Sequence, residues 1–89
     1  MAVDPETVIK QCVEVLGRII EDDSVPRNIR RGADEVKNKL LYGKEKYAIR
    51  AAYAISILDE IGNDPNIPIH ARTLIWNVAS QLETISVDV

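Results

Sequence analysis

The chain has few of the residues on which catalysis or covalent cross-linking usually depends. Cys12 is its one cysteine and His70 its one histidine, among 89 residues. No intramolecular disulfide can form, and a transition-metal site built on thiolates or paired imidazoles lacks its ligands. The four glycines are isolated from one another, so the sequence holds no glycine-rich phosphate loop. These absences argue against an enzyme and lead us to expect no cofactor and no metal.

Long hydrophobic runs are missing as well. No window approaches the roughly 18 consecutive apolar residues that a membrane-spanning helix needs. The N-terminus does not show the basic segment and apolar stretch of a secretory signal. Hydrophobic residues make up 46% of the chain, charged residues 28%, and the net charge is −3. We therefore expect one globular domain over residues 1–89, in the cytoplasm and without a membrane partner.

Four amphipathic segments, separated by proline, glycine and aspartate, account for most of the chain. Apolar residues recur at three- and four-residue spacing and predict helices over about 5–21, 25–42, 44–61 and 67–85, with a frayed tail after Ile85. Asp4 and Ser24 are the predicted N-caps of the first two helices, and Gly43 is predicted to end the second in a left-handed conformation. The third helix is apolar around nearly its whole circumference, which indicates that neighbours or a partner cover it. The predicted fold class is all-α.

An internal repeat appears when the chain is shifted by 42 positions. Seven identities then fall between positions 8 and 41, and they include turn residues: Asp22 with Asp64, Pro26 with Pro68, and Arg30 with Arg72. This register indicates a duplicated helix–turn–helix unit of the length seen in HEAT and armadillo repeats, but solenoids need about three or more such units. We therefore predict that the two related hairpins close into a compact four-helix bundle. A short stack that exposes one apolar face for self-association is the alternative.

Four phrases of the sequence are specific enough to suggest a family. The segments 25–31, 54–61, 63–66 and 70–77 read VPRNIRR, AISILDEI, NDPN and HARTLIWN. Together they resemble the archaeal family of uncharacterised small proteins UPF0147, and the resemblance covers roughly residues 13–85. It implies a four-helix domain of the kind grouped with bromodomain-like bundles, in an archaeal cytoplasm. It transfers no activity and no catalytic residue, and a shared fold does not imply acetyl-lysine binding.

Charge is distributed unevenly along the chain. Residues 27–50 carry a local charge of +5, whereas residues 1–26 and 51–89 each carry −4. Four bases of this middle segment are the predicted contacts to phosphate or nucleic acid: Arg27, Arg31, Lys37 and Lys44. The alternative is a solvated helix face that Asp34 and Glu35 partly neutralise.

Three further predictions concern structural roles: the ties across the turns, Trp76 and Cys12. Each interhelix turn of the repeat has an aspartate followed eight residues later by an arginine, which predicts a tie across the turn by Asp22 with Arg30 and by Asp64 with Arg72. Trp76 either fills the core or anchors a dimer seam on helices 3 and 4. Cys12 lies within an apolar stripe and is predicted to be buried.

The sequence alone leaves three kinds of function open. The favoured one is a non-enzymatic interaction or scaffold module that binds an unidentified protein or a second copy of itself. The second is a nucleic-acid-associated protein that uses the basic face of helix 2. The third, and least favoured, is a small-molecule enzyme or metal protein with His70 beside acidic residues.

Overall fold

The structure, a computed structural model, describes residues 4–85. Its helices are α1 (Pro5–Ile20), α2 (Arg27–Tyr42), α3 (Tyr47–Gly62) and α4 (Ile69–Leu82). Helix α1 packs mainly against α2 and α4, and α3 packs mainly against the same two helices. The four therefore close into a ring of neighbours joined by short turns. The predicted all-α four-helix bundle is confirmed. The expected fraying after Ile85 concerns residues 86–89, which lie outside the described range.

The helix starts show which capping predictions were right. Asp4 caps α1 as predicted, because its carboxylate accepts a hydrogen bond from the Glu6 amide at 3.3 Å. The predicted cap Ser24 is wrong. Helix α2 begins two residues later than expected, directly after Pro26, and has no side-chain cap. The Ser24 hydroxyl donates instead to Asp22 at 2.7 Å. Proline fixes its own φ near the helical value, so it can lead a chain into a helix without a side-chain cap.

The α1–α2 turn and the α3–α4 turn have the same hydrogen-bonding pattern. The amides of Ser24 and Asn66 donate to the carboxylates of Asp22 and Asp64, at 2.9 and 2.8 Å. The residue that follows each helix, Glu21 or Asn63, has nearly the same backbone conformation, with φ of −89° and −93°. Equal geometry 42 positions apart supports the predicted duplication.

The core lies between the four helices and contains only apolar side chains among the described residues. Large side chains from every helix are fully buried there, including Leu16, Ile29, Leu58 and Ile75. Cys12 is also fully buried, as predicted, and burial raises the pKa of its thiol to about 11. A protonated, buried thiol is a small apolar side chain and not a nucleophile.

Lack of space for a side chain explains why the residue that follows α2, Gly43, is a glycine. The predicted left-handed conformation of Gly43 is wrong, because its φ is −64° and no described glycine has a positive φ. A Cβ at this position would lie 2.5 Å from the carbonyl oxygen of Lys39 and 2.6 Å from Cδ of Arg50. The position therefore needs glycine for lack of space.

None of the described helices combines the length and the hydropathy needed to cross a membrane.

Candidate interaction surface

Two reciprocal polar contacts join the two hairpins at the end of the bundle where the α1–α2 and α3–α4 turns meet. The side chain of Asn28, at the start of α2, donates to Asp64 at 2.9 Å. His70, at the start of α4, contacts Asp22 through Nε2 at 2.9 Å. Asn28 and His70 are themselves 42 positions apart, so the second contact repeats the first. The acidic turn residues thus tie one hairpin to the other.

The grouping of His70, Asp22 and Ser24 does not have the geometry of a catalytic triad. Asp22 and Ser24 both approach the same ring nitrogen, Nε2, at 2.9 and 3.4 Å, whereas a triad histidine uses one nitrogen for each partner. All of these contacts are exposed. The hydrogen bonds from Ser24, followed by that from His70, lower the pKa of Asp22 to about 2. The cluster is arranged to hold a carboxylate ionised, and it leaves no activated nucleophile.

The arginines of the repeat tie the turns, but with partners other than the predicted ones. The Nε of Arg72 donates at 3.2 Å to the carbonyl of Gly62, the last residue of α3. Arg30 reaches Asp23 at 3.8 Å rather than Asp22, and its Nε is buried without a hydrogen-bond partner among residues 4–85. The predicted pairing with Asp22 and Asp64 is therefore wrong, because both aspartates are occupied by the opposite hairpin.

Sequence reasoning missed a third arginine of this kind, Arg50. Its Nη1 donates to the carbonyl of Leu40 at 2.8 Å, its Nε donates to that of Glu45 at 2.9 Å, and its guanidinium lies over the ring of Tyr47. Arg50 follows Leu40 by ten residues, as Arg72 follows Gly62. The ten-residue spacing could have been recognised in the sequence, but Arg50 was considered only as one of the bases of the segment 27–50.

The four predicted phosphate contacts do not share one surface. Arg27 and Arg31 lie on the exposed side of α2, whereas Lys37 is partly buried and lies 3.9 Å from Asp34. Lys44 lies beyond the end of the helix, about 25 Å from Arg27 at 1.5 Å per residue. Arg31 also lines a groove of about 280 Å³ whose other charged side chains are all acidic: Glu35, Glu60 and Asp64. The structure thus surrounds one of the two best-placed bases with carboxylates, which disfavours an approaching phosphate.

Helices α3 and α4 expose far fewer charges than α1 and α2. No exposed position from Ile69 to Leu82 carries Asp, Glu, Lys or Arg, and the exposed acids of α3 are confined to its last turn. Large apolar side chains are exposed instead: Ile69 is 80% exposed, Ile49 55% and Trp76 37%. Depletion of charge with exposed aromatic and aliphatic side chains is typical of the centre of a protein–protein interface.

The internal repeat offers a comparison for every one of these positions. Seven of the exposed positions of the second hairpin, which leave out the acidic last turn of α3 with Asp59 and Glu60, define what we call the α3–α4 face: Ile49, Ala52, Ser56, Ile69, Thr73, Trp76 and Ser80. The positions 42 residues earlier define the α1–α2 face: Thr7, Lys10, Glu14, Arg27, Arg31, Asp34 and Asn38. Five of these seven are charged, against none on the α3–α4 face. Two hairpins of equal architecture therefore differ in the surface that each presents.

Trp76 occupies an intermediate position that neither sequence alternative described fully. One edge of its ring covers Gly62, where a Cβ would lie 3.0 Å from Cη2 and Cζ2. More than a third of the residue stays exposed on the α3–α4 face. The equivalent residue of the first hairpin is Asp34. One edge of the Trp76 ring thus packs within the monomer while the rest is exposed, so the side chain is available as an anchor for a partner.

Comparison with known proteins decides the family. The model of the uncharacterised protein family UPF0147 matches residues 1–85. The chain belongs to UPF0147. A UPF0147 protein of Methanosarcina mazei is 56% identical over 85 residues, which cover 96% of this chain and 91% of that protein. One from Methanothermobacter thermautotrophicus is 60% identical over 72 residues, which cover 81% of this chain and 71% of its length.

Two crystal structures of similar proteins support the UPF0147 fold. One, of a protein of unknown function, has a TM-score of 0.89 at 45% identity and covers 97% of this chain and 98% of that one. The other, of a UPF0147 protein from Thermoplasma acidophilum, has a TM-score of 0.85 at 36% identity and covers 91% and 95%. The predicted resemblance is confirmed. Family and neighbours alike carry no assigned role, so the function has to be argued from the surface of the bundle itself.

Proposed function

We propose that this protein is a non-enzymatic interaction module of the cytoplasm and that the α3–α4 face is its binding surface. The observation that carries the proposal is the contrast between the two hairpins. A solvated helix surface is normally polar and charged, as the α1–α2 face is. Each of the five charged positions of the α1–α2 face has an uncharged equivalent on the α3–α4 face, while the turns and the core keep the repeat. A face that stays in water has no physical need for that replacement, whereas a face that a partner covers avoids burying unpaired charges.

No reactive group is arranged for chemistry among the residues that the structure describes, and this supports a binding role. His70 and Asp22 lie at the bundle end in open contact with solvent, and Cys12 is buried and protonated. Among residues 4–85 no three His, Cys, Asp or Glu side chains are grouped so that they could hold a metal ion. A lone buried thiol also suits the reducing conditions of a cytoplasm.

Site-specific photo-crosslinking in an archaeal cell extract tests the proposal. A photoreactive amino acid is placed at Ala52 in one variant and at Lys10, its equivalent on the α1–α2 face, in a control. We expect a discrete adduct from position 52 that saturates and that unlabelled wild-type protein competes away, with none from position 10. Equal or absent adducts at the two positions would contradict an interaction role for the α3–α4 face.

A nucleic-acid-associated function is the weaker candidate. Arg27 and Arg31 are exposed one helical turn apart, which is the observation in its favour. The acidic groove beside Arg31 and the separation of Lys44 from this pair are the observations against it.

A further inference from the structure

Resting on the proposed function, we infer that the partner of the α3–α4 face is a second copy of this chain, related to the first by a two-fold axis. Charge, size and the position of the exposed anchors are the observations that lead to this partner.

The charge of the face suits self-association. In a two-fold, isologous contact the same patch of both protomers meets itself, so any excess charge on the patch is placed opposite an equal charge. The α1–α2 face, with three bases against two acids, would meet this repulsion. None of the seven positions of the α3–α4 face carries a charge, so they avoid it, and the exposed acids of α3, Asp59 and Glu60, lie outside this set in the last turn of the helix. A charged partner would, by contrast, be matched by complementary charges around its binding site.

The size of the face matches what a small dimer needs. Helix α3 has 16 residues and is about 24 Å long, and two adjacent helices are about 20 Å wide. The short dimensions of the molecule, 22 and 19 Å, agree with that width. The face measured flat is thus about 480 Å² per protomer, and a pair of faces comes to about 960 Å², which is the size of weak, transient interfaces. An interface of this size predicts a weak, reversible dimer.

The exposed anchors are spread so that one copy can cover them all. Ile49 lies in the first turn of α3 and Ile69 in the first turn of α4, at opposite ends of the bundle. Trp76 lies between these ends, held against Gly62. A short peptide would cover one anchor and leave the others in water. A second two-helix face of equal length covers all three.

Sedimentation equilibrium on the purified protein tests the inference, over about 1 to 500 µM. We expect the wild-type mass to rise from 9.9 kDa towards twice that value with concentration. Ala52→Lys should weaken the association at least tenfold, because each dimer would bury two unpaired ammonium groups. Lys10→Ala, the reciprocal change at the equivalent position, should associate like the wild type. Thr73→Arg repeats the test on α4, so that the result does not depend on the folding of one variant.

Several results would overturn the inference. A wild-type mass of 9.9 kDa at every concentration excludes the second copy, and an Ala52→Lys variant that associates like the wild type excludes this face. The photo-crosslinking experiment separates these failures from failure of the proposed function. An adduct at position 52 of twice the chain mass identifies a second copy, whereas an adduct of another mass refutes the dimer and leaves the binding role standing.

Discussion

Replacement of Arg50 by alanine should destabilise the bundle strongly, although Arg50 belongs to no buried core cluster. The guanidinium of Arg50 donates to the carbonyls of Leu40 and Glu45 and lies 4.5 Å from the ring centre of Tyr47. It thereby joins the end of α2, the turn and the start of α3. Truncation leaves the partly buried carbonyl of Leu40 without this donor.

The magnitude follows from these contacts. A hydrogen bond to a charged group contributes about 1.5–3 kcal/mol when it is not fully exposed. The exposed bond to Glu45 and the stacking on Tyr47 each add about 0.5–1 kcal/mol. Since such contributions overlap, we expect Arg50→Ala to lower the free energy of unfolding by about 3 kcal/mol. For a chain of this length that corresponds to a fall in Tm of about 15 °C.

Urea unfolding followed by circular dichroism measures this difference. Arg50→Lys keeps the charge but not the planar fork, so it should recover less than half of the loss. Lys44→Ala removes an exposed base from the same turn and should change the stability by less than about 0.5 kcal/mol. An Arg50→Ala variant as stable as Lys44→Ala would refute the account of this turn.

The remaining predictions concern glycine, pH and salt. Gly43→Ala should destabilise the protein by about 1–3 kcal/mol, because its Cβ would overlap a backbone carbonyl. Gly17→Ala should stabilise it by about 0.5–1 kcal/mol, because Gly17 lies inside α1 and no atom is within 4 Å of a new Cβ. Urea unfolding in which both glycine substitutions change the stability in the same direction would contradict the geometry. The folded pKa of Asp22 lies below its ordinary value of 3.8, so its stabilising effect is present above that value and is lost as the pH falls towards about 2. Asp22→Asn should therefore flatten the dependence of stability on pH between about 4 and 2, and an unchanged slope would refute the pKa assignment. Labelled RNA and DNA, titrated at about 50 and 200 mM salt, should show no steeply salt-dependent binding. Tight binding at the lower salt that is lost on reversing Arg27 and Arg31 would favour the nucleic-acid alternative.

Local patterns were enough to predict the helices and their arrangement. The three-four spacing of apolar residues, the cap at Asp4 and the 42-residue register depend on neighbours along the chain, and all three are present in the structure. Starts of helices were placed two residues early where a proline leads the chain in, as at Pro26 and Pro68. A proline marks the approach to a helix in the sequence, but it does not show which residue takes the first helical conformation.

The partners of polar side chains were harder to predict. Asp22 and His70 are 48 residues apart, and only the closure of two hairpins brings them together. A pairing rule based on one turn therefore assigned Asp22 to Arg30. The internal repeat predicts these partners better. Once the contact of Asn28 with Asp64 is known, a shift of 42 positions gives the contact of His70 with Asp22.

The α3–α4 face was visible in the sequence only in part. The apolar circumference of α3 and the position of Trp76 indicated that something covers these helices. A position-by-position comparison of the repeat, such as Lys10 against Ala52, locates the surface more exactly, but it requires knowing which positions point outward. The structure supplies that information.

The fluorescence of Trp76 tests the central claim most directly, because it is the only tryptophan of the chain and lies on the α3–α4 face. Acrylamide quenching of its fluorescence lifetime is measured from about 1 to 500 µM protein. If two copies cover each other's faces, the quenching constant falls and the emission shifts to shorter wavelength as the concentration rises, and Ala52→Lys abolishes both changes. A quenching constant and an emission maximum that stay the same at every concentration would contradict the claim that a second copy binds there.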